Sequence, residues 1–202
     1  RGSLEDLALL ERALVQYEIE VAFHLGAQTQ VRHAQWSPWA SLEANVRGTY
    51  NLLEAARRNS RTLSAIVIAS SDKAYGESDV LPYTESHPLA GRNIYDASKS
   101  AADLLASAYA LSYELPLATA RCANIYGGGD LNWERIVPGT IRSLLRDEAP
   151  IIRSDGTSSA TTSTWTMPST PTSSWAQLCW MAANMPRPST SGMASRCPFS
   201  RS

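Results

Sequence analysis

The chain has 202 residues, 44% of them hydrophobic, which suits one domain with a core and is short for two. A formal net charge of -1 and a pI near 6.4 supply no basic field for a nucleic-acid backbone, and no apolar stretch reaches the length of a spanning helix. Neither a nucleic-acid nor a membrane partner is expected, and the start at Arg1-Gly2-Ser3, without leader or initiator Met, leads to the expectation of a cytoplasmic protein and of a chain that is a fragment.

Ser3 with Asp6 three residues on has the form of a capping box, and Leu4, Leu7, Leu10, Ala13 and Leu14 follow at helical spacing, so a helix is expected to about Tyr17. Ile19 to Leu25 is a short apolar run of the kind that forms a buried parallel strand, stopped at Gly26. Ser41 to Asn59 places Val46, Tyr50, Leu53 and Ala56 on one helical face. Leu63 to Ala69 reads as a strand, Tyr95 to Tyr113 as a helix, Leu117 to Cys122 as a strand, and Pro138 to Arg146 as a helix with Pro in its tolerated first turn. Strand and helix alternate with short connections, the pattern of an α/β doubly wound parallel sheet, so function should sit at the strand ends, Gly26–Thr29, Ser70–Lys73 and Ala123–Asp130.

The character changes after Thr157. Residues 158–202 hold 11 Ser, 7 Thr, 5 Pro, no Asp or Glu and all four Met of the chain, with neither helical nor strand periodicity, so disorder is expected. The three cysteines, Cys122, Cys179 and Cys197, are an odd number without metal-type spacing, which argues against a disulfide framework or a metal site; Cys122 reads as a small core residue.

Of the 18 basic residues only Lys73 and Lys99 are lysine. Lysine can give up its proton and arginine cannot, which singles out these two positions. Tyr95 and Lys99 lie four apart on one helical face. A free phenol, with a pKa of about 10, is a poor base at neutral pH, and a neighbouring ammonium stabilises its anion. The pair is therefore built to deprotonate a hydroxyl. Ser70-Ser-Asp-Lys73 directly follows a strand, where a doubly wound fold puts its ligand: Ser71 can hold the substrate oxygen, and Asp72 and Lys73 can move protons at neighbouring carbons.

With these features the chain, from residue 1 to about 157, resembles the extended short-chain dehydrogenase/reductases known as the NAD-dependent epimerase/dehydratase family. The resemblance rests on Phe23-His-Leu-Gly-Ala-Gln28, Asn45-Val-Arg-Gly-Thr-Tyr-Asn-Leu-Leu-Glu54, the Ser-Ser-Asp-Lys loop, Tyr95-x-x-x-Lys99 and Arg121-Cys-Ala-Asn-Ile-Tyr-Gly127. It implies a Rossmann-like fold, incomplete because the first βαβ unit with its glycine loop is missing. It implies NAD rather than NADP, held by Leu25, Ala27, Gln28, Asn45, Ala69, Ser70, Tyr95, Lys99 and Cys122. A nucleoside-diphosphate sugar would lie against Asn124, Asn132, Arg135 and Val137, with a homodimer through the helices near 41–59 and 95–113. Residues 1–157 would be a partial NAD-binding domain, the substrate region beginning at about 124. Ser71-Asp72-Lys73 resembles the triplet of CDP-glucose 4,6-dehydratases, so the implied catalytic set is Ser71, Asp72, Lys73, Tyr95 and Lys99. The alternatives are a sugar-nucleotide 4-epimerase and an inactive fragment of such an enzyme.

Where the pattern ends at Asp155-Gly-Thr157, relatives continue with an Arg-Asp-Tyr-Ile-Tyr-Val type strand. Reading Ser158–Ala176 back by one nucleotide fixes two bases of each codon, and Thr161-Thr-Ser-Thr-Trp-Thr-Met then permits Asp-Tyr-Ile-Tyr-Val-Asp-Asp. The tail is accordingly expected to be the product of a reading-frame shift.

Overall fold

The computed structural model describes residues 1–59, 61–127 and 129–152, and the backbone of residues 162–165. Helix α1 (Leu7–Gln16) starts later than a Ser3 cap requires. Asp6 is the N-cap and accepts from the Leu9 N–H at 2.9 Å, while the Ser3 hydroxyl takes the Glu5 N–H. The first strand, β1 (Val21–His24), is shorter than the apolar run and half-buried, because it has one described neighbour, β2 (Ala65–Ser71), to which it pairs in parallel from Val21↔Ala65 to His24↔Ile68.

A short helix α2 (Val31–Trp36) leads into a longer helical stretch made of α3 (Pro38–Leu42), a π-turn (Glu43–Arg47) and α4 (Gly48–Arg58). Its buried face corrects the apolar reading. Leu53 and Ala56 are buried as expected, but Tyr50 is exposed and Val46 only half-buried, while Ser41, Asn45 and Thr49 are fully inside. Polar hydrogen bonding, not apolar contact, sets this face before Leu52.

Strand β2 extends two residues beyond the expected Ala69 and runs straight into a single 3₁₀ turn (Asp72–Tyr75), capped by Ser71. The turn ends on Gly76 at φ 72°, where a Cβ would collide with the Ala90 carbonyl, so the chain can double back and donate the Ala90 N–H to Ala74 O at 3.0 Å. Helix α5 (Ile94–Tyr113) and strand β3 (Leu117–Cys122) fall where the pattern places them, and the sheet order is β1-β2-β3. Ile66 and Ile68 of β2 pack with Leu14, Leu53 and Ala106 from α1, α4 and α5, and Ala65 and Val67 on the other face meet Val21 and Phe23. Cys122 does not belong to this core. It is exposed at the end of β3, which has β2 as its one described neighbour.

The described residues fall into two compact units, Arg1–Arg121 and the stretch from Cys122 onward. The second holds β4 (Asn124–Gly127), α6 (Ile136–Leu144) and β5 (Thr162–Trp165), with β4 and β5 parallel in the register Asn124↔Thr162. Neither strand is expected from the sequence pattern, and β5 falls inside the tail that shows no periodicity. The rest of residues 158–202, and with it the expected disorder, lies outside the described residues.

Arg121 ties the first unit together. Its guanidinium grips the fully buried Asp103 of α5 through two hydrogen bonds of 2.7 and 2.8 Å and donates to the Tyr75 hydroxyl at 3.0 Å. Removing one partner of such a pair strands the other charge in the interior. We expect Arg121→Met to lower unfolding free energy by about 3 kcal/mol and Asp103→Asn to do comparable damage, read from urea denaturation.

Candidate active site

Asn93 starts α5 by accepting the Asp96 N–H on its side-chain oxygen at 2.9 Å, which places Tyr95 and Lys99 one turn apart at the buried start of the helix. Lys99 then reaches across: its Nζ donates to the Ala69 carbonyl on β2 at 3.0 Å. This bond brings the Tyr95–Lys99 turn to the end of the strand that continues into Ser70, Ser71, Asp72 and Lys73. Burial pulls the Lys99 ammonium below the ordinary lysine range, with Asp103 one turn on opposing that pull.

The Ser71 hydroxyl does two tasks, taking the Lys73 N–H at 3.2 Å and donating to Asp72 Oδ1 at 3.0 Å. Asp72 is thereby oriented and half-buried, while the Lys73 side chain is exposed. The Ser70 hydroxyl is buried with no protein partner, as is Oδ1 of Asp96. Asp96 lies inside the Tyr-x-x-x-Lys motif, which leaves that position open and so does not single it out. Its other oxygen takes a 2.7 Å hydrogen bond from Asn93, and burial raises its pKa above the usual carboxylate value, with Lys73 opposing and Asp72 and Glu77 reinforcing the rise. An acidic residue in the first turn of the helix is the signal the sequence does carry.

Asn45 is where the sites on separate elements meet. Its Oδ1 accepts the Gln28 N–H at 2.7 Å, and its Nδ2 donates to Gln28 O at 3.0 Å and to Ser98 Oγ at 2.9 Å. Ser98 passes the connection on to the Tyr95 carbonyl at 2.7 Å. The loop after β1, carrying exposed Leu25 and half-buried Ala27 and Gln28, is thus locked to the Tyr95–Lys99 turn through one amide. Ser98, Thr49 and His24 complete this arrangement; His24 and Thr49 stand inside the stretches that carry the family resemblance, which assign them no role, and Ser98 fills an open position of the Tyr-x-x-x-Lys motif. His24 bonds Thr49 Oγ1 at 2.9 Å, and burial, then the charge of Lys99, lowers its pKa to about 4.

The remaining expected residues lie at or beyond the start of the second unit. Cys122 is exposed, Asn124 is exposed on β4, and Asn132 is half-buried in a turn where its Oδ1 takes the Glu134 N–H at 3.2 Å. Arg135 occupies the N-cap position of α6 and its side chain reaches Asp130 and the Ile125 carbonyl, both at 3.1 Å, and Val137 is half-buried.

Among known proteins, the profile of the family described as GDP-mannose 4,6 dehydratase matches residues 1–161. CDP-glucose 4,6-dehydratase of Salmonella typhimurium is 33% identical over 162 residues, which are 75% of this chain and 45% of that protein. The solved structure of a double mutant of DesIV, a dTDP-glucose 4,6-dehydratase of Streptomyces venezuelae, with NAD and DAU bound, matches with a TM-score of 0.72 at 30% identity, covering 81% of this chain and 49% of that one. The UDP-glucose 4-epimerase of Thermotoga maritima, solved with UDP-glucose, also gives 0.72, at 25% identity over 81% of this chain and 53% of its own. Fold and site define a Rossmann-type member of the extended short-chain dehydrogenase/reductases. The chain belongs to the GDP-mannose 4,6 dehydratase family and spans about half the length of the relatives it matches.

The lowered His24 pKa sets a pH dependence. The unfolded imidazole binds a proton below its ordinary pKa of 6.5 and the folded one only below about 4, so between these values the unfolded state holds more protons and stability falls as the solution is acidified. The loss attributable to His24 should approach about 3 kcal/mol at pH 4. Comparing wild type with His24→Gln isolates it from Asp96, which acts in the opposite direction: the wild-type curve should drop relative to the variant between pH 6.5 and 4.

Proposed function

We propose that the intact protein is an NAD-dependent nucleoside-diphosphate-sugar 4,6-dehydratase. The observation that carries this reading is the 3.0 Å bond from Lys99 to Ala69, which sets a tyrosine-lysine pair beside Ser71, Asp72 and Lys73 at one strand end. The residues present fit the nicotinamide end of the cofactor. The buried Ser70 hydroxyl offers a hydrogen-bond position that no protein group fills, and the Gln28 loop is held rigidly at the neighbouring strand end. When bound, the nicotinamide supplies acceptance of a hydride from C4 of the sugar and its return at C6. Leu25, Ala27, Gln28, Asn45, Ala69, Ser70, Tyr95, Lys99 and Cys122 are the positions proposed to contact the cofactor, and Asn124, Asn132, Arg135 and Val137 the nucleotide sugar.

The chain's own residues move the protons. Tyr95 takes the C4 hydroxyl proton, with the Lys99 ammonium stabilising the phenolate and Ser71 holding the substrate oxygen. The C4 ketone acidifies C5, whose proton goes to Lys73 or a neighbouring group and is given back to C5 when the hydride adds at C6. Asp72 protonates the departing C6 hydroxyl, which leaves as water. A homodimer through the helices near 41–59 and 95–113 belongs to the same reading, supported by exposed Tyr50, Leu104 and Leu111. The 4-epimerase reading shares only the Tyr95 step, and product analysis separates the two: a 4-keto-6-deoxy sugar against an inverted C4 hydroxyl.

In a version of the protein extended to the length of its relatives, Tyr95→Phe should abolish turnover, whereas Lys73→Met and Asp72→Asn should retain C4 oxidation and lose elimination. Elimination surviving undiminished in Tyr95→Phe would reject the assignment.

We also infer that the chain beyond Thr157 is read out of frame. The four residues of β5 are those that the shifted frame reads as Tyr-Ile-Tyr-Val, residue types suited to a strand, and they pair with β4 despite being Thr-Ser-Thr-Trp in this chain. Resequencing the gene around the Thr157 codon checks this. One missing base is the expected result; an intact frame encoding this tail in independent isolates would defeat it.

A further inference from the structure

The directions of the two hydrogen bonds at Thr49 Oγ1 can be deduced from proton counting. A threonine hydroxyl has one proton, and a carbonyl can only accept, so the 2.6 Å contact between Thr49 Oγ1 and the Asn45 carbonyl consumes it. The 2.9 Å contact between Thr49 Oγ1 and His24 Nε2 must then run the other way, with the imidazole donating. His24, buried and neutral at ordinary pH, therefore carries its proton on Nε2. Back-bonding from a threonine to the carbonyl four residues earlier bends a helix, and here it acts inside the π-turn that holds Asn45. All three residues are buried, so water does not compete for these bonds.

We propose that His24 is a positioning residue of the Tyr95 site: by donating to Thr49 it fixes the π-turn, and the π-turn aims Asn45 at both the Gln28 loop and Ser98. One imidazole on β1 thereby sets the spacing between the two walls of the crevice. The Asn45 amide has no slack in this role, because its oxygen and both its protons are committed to Gln28 and Ser98. The consequence for turnover rests on the dehydratase reading above. The geometric relay does not, and it is tested without substrate, so either can fail while the other stands.

Amide hydrogen exchange of the 202-residue chain reads the relay directly. The Gln28 N–H, donated to Asn45 Oδ1, reports on the clamp, and the Ile66 N–H, donated to Pro116 O at 2.7 Å in the core, reports on overall opening. His24→Leu and Thr49→Val should each speed exchange at Gln28 about tenfold relative to Ile66, the scale of one lost hydrogen bond. The double variant should be no faster than either single one, because both break the same link. His24→Gln, whose amide can donate from the position of Nε2, and Thr49→Ser, which keeps the hydroxyl, should restore slow exchange. Parallel acceleration at Gln28 and Ile66, additive single effects, or failure of His24→Gln to outperform His24→Leu would each overturn the proposal.

Discussion

The hydrogen bond from Lys99 to the Ala69 carbonyl is the contact on which the rest of the site depends. An ammonium buried to this extent loses its hydration, and one carbonyl does not replace it. The compensating charge is Asp103, one helical turn along and fully buried, and Asp103 is in turn held by the fork of Arg121. A line of alternating charge thus runs from the end of β2 through α5 to the end of β3. Because α5 is a continuous helix of 20 residues, fixing Lys99 and Asp103 fixes Tyr95 as well. His24, next to this line, stays neutral for the same reason that Lys99 is easier to deprotonate: burial disfavours the charged form of both, and in Lys99 Asp103 offsets only part of that.

The strand end is organised differently. No loop separates β2 from the 3₁₀ turn, so Asp72 and Lys73 occupy consecutive positions of a rigid corner in which successive side chains point about 120° apart. The carboxylate is turned toward Ser71 and partly shielded, and the amine is left to solvent. Asp96 adds a second, more deeply buried carboxyl near the same lysine. Carboxylate and amine therefore sit in unlike surroundings although they are neighbours in the chain, which is the condition for the separate tasks that the proposed reading gives them.

How much of this is legible in the sequence follows from what each signal reports. Tyr95 and Lys99 are visible because their chemistry is local to one helical turn, and β3 and α5 because their patterns are uninterrupted. The partners of Asn45 are not, since they are 17 and 53 residues away and a hydrogen bond at such separation leaves no periodic trace. Apolar periodicity misassigns Val46 and Tyr50 because it assumes that a buried face is greasy, and this one is built from Ser41, Asn45 and Thr49. Cys122 reads wrongly as core because composition cannot tell a central strand from one with a single neighbour among the described residues. The β4–β5 pair escapes detection because four-residue strands with Gly, Ser and Thr carry almost no pattern.

The π-turn also resolves a problem of angular bookkeeping. Ser41, Asn45 and Thr49 are spaced by four, and on a 3.6-residue helix each step of four overshoots a full rotation by about 40°, so the third would lie about 80° away from the first. A turn widened by one residue absorbs most of that drift and lets three short polar side chains stay in a single buried file. Removing Glu43, Ala44, Val46 or Arg47 would leave an ordinary helix of nearly unchanged apolar content, yet with the file broken and the amide of Asn45 out of line with its partners. In this part of the chain, residue count matters more than residue type.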